Sequence, residues 1–238
     1  MITLAIDTSD ARGSVAVLRD GALVARQAHE DGSDYSAWLL VAVENVLAEA
    51  KTGISEVGLL GVSTGPGSFT GLRVGLTTVK AWAEVYGKSV VGISRLEALA
   101  RILELKVRWV ASSYNAQRGQ VFAALYKVEA NTLTRMGEEL VVSPEEFVEF
   151  VEARAGKDQV DWISLDPKLI EDLGTFQQRV SAGDKLHLGP AELAPVIARL
   201  ADERAQTGQF SNPLALDANY VRRSDAELFW KGSPTSVR

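Results

Sequence analysis

Residues 5–17 read AIDTSDARGSVAV and residues 112–122 read SSYNAQRGQVF, and these two stretches decide the fold. In each of them a short apolar strand leads into a polar turn, and a second apolar strand returns from that turn. A tight turn between two hydrophobic runs predicts a pair of neighbouring antiparallel strands. The same unit therefore stands near the start of each half of this 238-residue chain.

The elements around the two units also repeat in the same order. In the first half, the patterns predict strands at 2–6, 14–18, 22–27, 57–63 and 89–93 and helices at 34–51, 71–86 and 94–105. In the second half, they predict strands at 107–112, 120–126, 133–142 and 159–165, helices from 143 and from 189 to about 205, and little pattern at 166–188. This order, given twice, predicts a duplicated α/β fold of two lobes, residues 1–105 and residues 106–238 with a C-terminal tail.

Composition and charge limit the possible functions. The chain has no cysteine, so disulfides and thiolate metal sites are excluded. A net charge of −6 argues against binding nucleic acid unaided, and the one small basic cluster is Arg222, Arg223 and Lys231. The longest apolar runs, such as 37–43, are too short to cross a membrane. The N-terminal MITLAID lacks the basic start of a signal peptide, so a cytoplasmic location is expected.

Two lobes of this kind resemble the actin, sugar kinase and Hsp70 superfamily. In that superfamily, the turn after the first strand of each lobe holds nucleotide phosphates, and a carboxylate helps to position a divalent metal. Here the first turn offers Asp7, Thr8 and Ser9 as candidate nucleotide-binding residues, whereas the second turn brings only the neutral Asn115. One carboxylate is a sparse set for phosphoryl transfer. Asp7 also fits a turn former that bonds its own backbone, and we favour this structural alternative.

Catalytic and metal-binding residues are otherwise scarce. The two histidines, His29 and His187, lack the spacing of metal-binding motifs, so each is expected to be a surface or structural residue. The sequence offers no specific Ser/His/Asp arrangement. We therefore expect no catalytic residues and no metal ligands.

A glycine-rich stretch, GPGSFTG at 65–71, joins a predicted strand to a predicted helix. It matches neither GxGxxG nor the P-loop, and its proline removes one N–H that a phosphate could have used. Glycines at 67, 71 and 75 recur every four residues, so another backbone can approach that side closely. We expect a structural loop, with anion binding at the helix start as the alternative. The residues assigned to this structural role are Gly65, Pro66, Gly67, Ser68 and Gly71 of the loop and Gly75 of the helix that follows.

The two helices beside this loop have unusual surfaces. Residues 37–43, AWLLVAV, are apolar around the whole helix, which indicates either a buried core helix or a partner interface. Arg73 lies in the first turn of the next helix, where the helix dipole disfavours a cation. Arg73 therefore either interacts with a group outside its helix or is a solvated surface side chain.

Several of these stretches are similar to the TsaB (YeaZ) family of bacterial tRNA threonylcarbamoyladenosine biosynthesis proteins. They are AIDTS, SVAV, STGPGSFTGLRVG, NAQRGQVF and a late NYVRR, and the resemblance is weakest at about 150–210. It implies an actin-like, duplicated ribonuclease H-like fold. It also implies a non-catalytic scaffold and activator of the complex that forms threonylcarbamoyladenosine at position 37 of tRNAs. The implied partners are the catalytic subunit TsaD and the ATPase TsaE.

The resemblance further implies that TsaD binds the two helices beside the glycine loop. It implies a homodimer through a similar surface when the chain is alone, contact with tRNA only through the complex, and ATP and Mg²⁺ held by partner subunits. The interface candidates on these helices are Tyr35, Trp38, Leu39, Ala42, Val46, Leu72, Arg73, Leu76 and Lys80.

The chain departs from the family pattern at four positions, Tyr35, Asn115, Gln117 and Ala218, and these changes weaken the case for nucleotide or metal binding. The alternative function is an ATPase or small-molecule kinase of the actin-like superfamily that uses Asp7. A glycoprotease-like hydrolase, suggested only by kinship to TsaD, has the least support, because the two histidines are isolated.

Overall fold

The computed structural model describes residues 1–29, 34–130 and 132–221, and its first sheet has five strands. The strands are β1 (Ile2–Asp7), β2 (Ser14–Arg19), β3 (Ala22–Ala28), β4 (Leu59–Gly65) and β5 (Ser89–Ser94), in the order β3-β2-β1-β4-β5. β1, β2 and β3 form an antiparallel meander, whereas β4 and β5 run parallel to β1.

The second sheet repeats this arrangement. It contains β6 (Trp109–Gln117), β7 (Gln120–Glu129), β8 (Thr132–Arg135), β9 (Leu140–Val142), β10 (Val160–Ser164) and β11 (Lys185–Leu188), in the order β11-β10-β6-β7-β8 with β9 on β7. β6, β7 and β8 are antiparallel, and β10 and β11 run parallel to β6. The duplicated α/β fold predicted from the two turns is therefore confirmed.

The helices form layers around the two sheets. They are α1 (Tyr35–Glu49), α2 (Phe69–Tyr86), α3 (Arg95–Ala100), α4 (Pro144–Ala155), α5 (Lys168–Glu171), α6 (Gly174–Ser181) and α7 (Ala194–Gln206). Side chains alternate between the faces of a strand, so Leu4 and Ile6 pack beneath α1 and α2, while Ala5 faces α7. α3 and α7 lie between the sheets, and α4 and α6 cover the far face of the second sheet.

α7 packs on β1, β2, β4 and β5 of the first sheet, although it comes from the second half of the chain. The chain then returns along β5, where the Ser211 backbone N–H donates to the Val90 carbonyl over 2.8 Å. A division after residue 105 stays a prediction, but the first sheet is completed by residues from beyond it.

Several element boundaries differ from the sequence prediction. The strand predicted at 133–142 is two strands, β8 and β9, because the chain turns at Gly137, where φ is +90°, and both segments pair with β7. The third helix ends at Ala100, short of residue 105, and the last helix starts at Ala194. The weakly patterned 166–188 stretch contains α5, α6 and β11. Within the described ranges, no helix is long and apolar enough to span a bilayer.

Candidate functional site

The glycine loop packs directly on the turn between β1 and β2. A Cβ atom at Gly67 would lie 2.0 Å from the Ser9 carbonyl oxygen, and one at Gly71 would lie 2.0 Å from the Thr8 carbonyl oxygen. The Ser68 N–H donates to the Ser9 carbonyl over 2.7 Å. Because no real Cβ contact is so short, the two backbones can meet only where glycine stands.

The side chains of the turn also bond within the protein. The Thr8 hydroxyl donates to the Gly71 carbonyl over 2.7 Å, and a Cβ at Gly75 would lie 2.4 Å from that hydroxyl oxygen. Ser68 caps α2, with its hydroxyl accepting from the Gly71 N–H over 3.2 Å. At the head of the loop, Gly65 has a φ of +100° and precedes the cis peptide to Pro66.

The Asp7 carboxylate is completely buried and both of its oxygens accept hydrogen bonds. Oδ1 accepts from the Ser9 N–H over 3.0 Å and from the Ser9 hydroxyl. Oδ2 accepts from Nε of Arg95, which is also completely buried, over 3.0 Å. The polar groups of the candidate nucleotide-binding residues therefore form hydrogen bonds within the protein. These residues are Asp7, Thr8 and Ser9.

Sequence reasoning missed Arg95, which begins α3. The one signal was its place directly after Ser94, the residue whose hydroxyl caps α3 by accepting from the Glu97 N–H. An arginine in a first helical turn opposes the helix dipole and so indicates a nearby carboxylate. Arg73, in contrast, lies in the second turn of its helix, because α2 begins at Phe69 and not at 71.

The ion pairs continue from Arg95 to the second sheet. Nη1 of Arg95 donates to Asp10 Oδ2 over 2.8 Å, and Asp10 also accepts from Arg12. Arg12 in turn donates through both Nη atoms to the Asp166 carboxylate, each over 3.1 Å. This ladder of alternating charges links the first turn to Asp166, which follows the end of β10.

The pKa of Asp10 carries a consequence for acid stability. Burial raises the pKa of this carboxyl, but the guanidinium groups of Arg95 and Arg12 more than offset that effect, so the pKa lies below its ordinary value. A carboxyl with a lowered folded-state pKa stabilises the fold above its unfolded pKa and loses that contribution as the pH falls through the folded pKa.

We therefore expect the free energy of unfolding to fall as the pH drops below about 4. In Asp10→Asn this acid-dependent loss should be smaller, as measured by urea unfolding from pH 7 to pH 2. Glu149→Gln, at an exposed position on α4, is the control and should keep the wild-type slope. Equal slopes in wild type and Asp10→Asn would contradict the ladder.

The second turn meets the glycine loop as well. The Tyr114 hydroxyl donates to the Pro66 carbonyl over 2.6 Å, and the Asn115 N–H donates to Asp166 Oδ2 over 2.8 Å. The Asn115 side-chain oxygen accepts from the Gln117 N–H over 2.7 Å. The two related turns thus face each other across the loop and are bonded through it.

The two histidines belong to different halves of the structure, His29 directly after β3 and His187 on β11. His29 is buried beside Tyr35 and Trp38, with ring centroids 4.5 and 5.0 Å away, and its Nδ1 is 3.1 Å from the Ala11 carbonyl. His187 is half-exposed on β11. The described part of the chain holds no cluster of three His, Asp or Glu side chains suited to a metal. Arg222, Arg223 and Lys231 lie outside the described residues.

Most of the predicted interface residues lie in the core, which corrects their assignment to a surface. Their side chains face the first sheet, because α1 and α2 lay one apolar face each on β1 and its neighbours. They therefore offer little surface to a partner, although Leu39 forms part of the groove wall, whereas Tyr35, Arg73 and Lys80 remain accessible. The buried six are Trp38, Leu39, Ala42, Val46, Leu72 and Leu76.

The outer side of the same two helices carries a groove of about 380 Å³. Leu40 and Val41 on α1 are 57% and 56% exposed, and Val85 on α2 is 73% exposed. The stretch that is apolar all round therefore serves both as core and as surface, because four of residues 37–43 are buried and three are exposed. The groove is lined by Tyr35, Ser36, Leu39, Leu40, Arg73, Val74, Thr77 and Thr78.

Solved structures share this architecture. YeaZ from Pseudomonas aeruginosa superposes with a TM-score of 0.73 at 23% identity, covering 92% of this chain and 99% of that one. The ROK hexokinase from Thermus thermophilus superposes with a TM-score of 0.53 at 13% identity, covering 86% and 100%. Two related sheets with their turns meeting at one loop define the class of actin-like, two-lobed α/β proteins.

Sequence comparison identifies the family. The chain is 26% identical over 236 residues to the tRNA threonylcarbamoyladenosine biosynthesis protein TsaB of Bacillus subtilis (strain 168), covering 97% of this chain and 98% of the relative. The model of the family described as TsaD: tRNA N6-adenosine threonylcarbamoyltransferase matches residues 25–173. The chain belongs to this family, as a member of its TsaB (YeaZ) branch.

Proposed function

We propose that this chain is a non-catalytic scaffold and activator in the formation of threonylcarbamoyladenosine at position 37 of tRNAs. Its family membership indicates that it takes part in this tRNA modification together with TsaD. The observation that carries the proposal is the apolar groove between α1 and α2, where Leu40 lines the groove and, like its neighbour Val41, is open to solvent. Contiguous exposed apolar side chains are typical of a protein interface.

The buried ion pairs support the absence of an activity of its own. In actin-like enzymes the first turn holds phosphates, and here that turn is covered by the glycine loop while its carboxylate pairs with Arg95. A nucleotide whose phosphates entered this turn would have to break the buried Asp7–Arg95 ion pair, which leaves the Asp7 carboxylate without its counter-charge.

The wider assembly is part of the same proposal. TsaE supplies the ATPase, ATP and Mg²⁺ bind to partner subunits, and tRNA is reached only through the complex. In the absence of TsaD the α1–α2 surface pairs with a second copy, and the complex works in the cytoplasm. The net charge of −6 supports indirect contact with tRNA, because phosphate recognition needs basic surface.

A charge placed in the groove tests the docking site. Leu40→Asp is expected to abolish co-elution with TsaD in size exclusion with light scattering, because binding would bury an unpaired carboxylate. The variant should keep its melting temperature within a few degrees, since the Leu40 side chain is 57% exposed.

Two matched variants are the controls for Leu40→Asp. Leu188→Asp, at a 73% exposed leucine on the edge strand β11, should bind TsaD as the wild type does. Leu39→Asp, at the buried neighbour, should unfold the chain. A Leu40→Asp chain that still forms a complex with TsaD would refute this docking site.

The alternative, an ATPase or kinase that uses Asp7, predicts magnesium-dependent nucleotide turnover that Asp7→Asn removes. No feature of the described residues favours it, since the Asp7 carboxylate is fully engaged by Ser9 and Arg95. Turnover by the isolated chain would nevertheless restore it.

A further inference from the structure

A short tail segment, residues 217–221, crosses the glycine loop after α7. The Asn219 N–H donates to the Thr64 carbonyl over 2.7 Å, and its side-chain amide donates to Glu139 over 2.5 Å. A Cβ at Gly65 would lie 3.3 Å from the Asn219 carbonyl oxygen, so the tail segment also touches the loop backbone. These contacts fix Asn219 and thereby the position of the next residue, Tyr220.

Tyr220 completes a small cluster at the start of α2. Its ring centroid is 4.9 Å from that of Phe69, and its hydroxyl accepts from Nε of Arg73 over 3.2 Å. The Arg73 guanidinium lies over the Phe69 ring, 3.6 Å from its centroid. The ring and the hydroxyl therefore hold this exposed guanidinium in one orientation.

This arrangement leaves one edge of the Arg73 guanidinium for another molecule. Nε is engaged, and within residues 1–29, 34–130 and 132–221 neither Nη atom has a hydrogen-bond acceptor. The paired Nη donors of a guanidinium match a carboxylate in geometry and charge. The start of α2 adds the positive end of a helix dipole, which further favours an anion.

Arg73 also forms part of the wall of the proposed docking groove. It is the one charged residue among the eight that line the groove between α1 and α2, and the others are apolar or neutral. A complementary partner surface is a helix with an apolar face and a single Asp or Glu near one end of its contact.

We infer that Arg73 is a specificity-determining residue of this docking site. It pairs with a carboxylate on the partner helix that fills the groove, and Phe69 and Tyr220 position its guanidinium for that pairing. This inference rests on the proposed function and adds to it the chemistry of the partner. It also gives the tail segment a role, since Asn219 fixes Tyr220.

The test is a titration of the full chain and its variants with purified TsaD at low and high salt. Arg73→Glu should raise Kd by about 100-fold at low salt, because it sets two carboxylates against each other. Tyr220→Phe keeps the ring but frees Nε, and should raise Kd by about 3- to 10-fold, the range of one hydrogen bond. The wild-type affinity should fall with salt more steeply than that of Arg73→Glu.

Arg108→Glu is the matched control, because Arg108 is exposed at the second sheet and the change in net charge is identical. It should bind within about twofold of the wild type, as expected for a surface charge outside the interface. Equal weakening by both reversals, or binding of Arg73→Glu within twofold of the wild type, overturns the inference. If glutamate lowers the melting temperature, Arg73→Gln gives the same comparison without the repulsion.

The inference and the proposed function can fail separately. If Leu40→Asp abolishes the complex while Arg73→Glu binds normally, the docking site stands and the role of Arg73 falls. If neither variant affects binding of TsaD, the docking site itself falls and takes the inference with it.

Discussion

Replacing Arg95 with methionine is expected to lower the free energy of unfolding by about 3–5 kcal/mol. The Arg95 and Asp7 side chains are both completely buried, with Nε and Oδ2 3.0 Å apart. Methionine replaces much of the side-chain volume but leaves the Asp7 carboxylate without its counter-charge, and Asp10 loses a partner as well. Urea unfolding at neutral pH, followed by circular dichroism, measures the loss.

A second substitution separates charge from packing. In Asp7→Asn/Arg95→Met no uncompensated charge remains at this pair, so a large part of the lost stability should return. Arg108→Met, at an exposed ion pair, should change the free energy of unfolding by less than about 1 kcal/mol. A loss below 1 kcal/mol in Arg95→Met would mean that the ladder does not hold the two turns together.

Gly71→Ala is expected to destabilise the chain by about 3 kcal/mol or more, the upper end for overpacked sites. The added methyl group would lie 2.0 Å from the Thr8 carbonyl oxygen, and a backbone atom cannot move aside as a flexible side chain can. The direction of this change in stability is informative, because alanine normally stabilises a helix by about 1 kcal/mol relative to glycine.

Gly174→Ala provides the comparison for this prediction. Gly174 begins α6, and a Cβ there would have no neighbour within 4 Å. This variant should be neutral or more stable by about 0.4–1 kcal/mol. Similar melting temperatures for the two variants would show that the glycine loop tolerates a side chain against the β1–β2 turn.

Much of the architecture follows from local sequence patterns. The pairs β1–β2 and β6–β7 are predictable because each consists of two apolar runs around one polar turn. The division of 133–142 into β8 and β9 is not, because both strands are short and β8 is mostly exposed, so neither strand carries a clear apolar pattern.

The candidate site is less accessible to sequence reasoning, because its contacts join distant residues. Asp7 and Arg95 are 88 positions apart, and Arg73 and Tyr220 are 147 apart. The local part, Asp7 bonding to the Ser9 N–H, is what a turn-forming aspartate does. Similarly, the sequence AWLLVAV cannot say which side of α1 faces the sheet, and so Leu39 was placed outside and Leu40 was overlooked.

The position of α7 has a consequence for how the chain matures during synthesis. The last strand of the first sheet ends at Ser94, but the sheet face that looks toward the second sheet is covered by residues 194–206. While the ribosome adds the intervening hundred or so residues, that apolar face lacks the cover of α7 and has only α3 against it. Nascent chains of this protein therefore keep part of this face exposed to chaperones and proteases until residues 194–206 have left the ribosome.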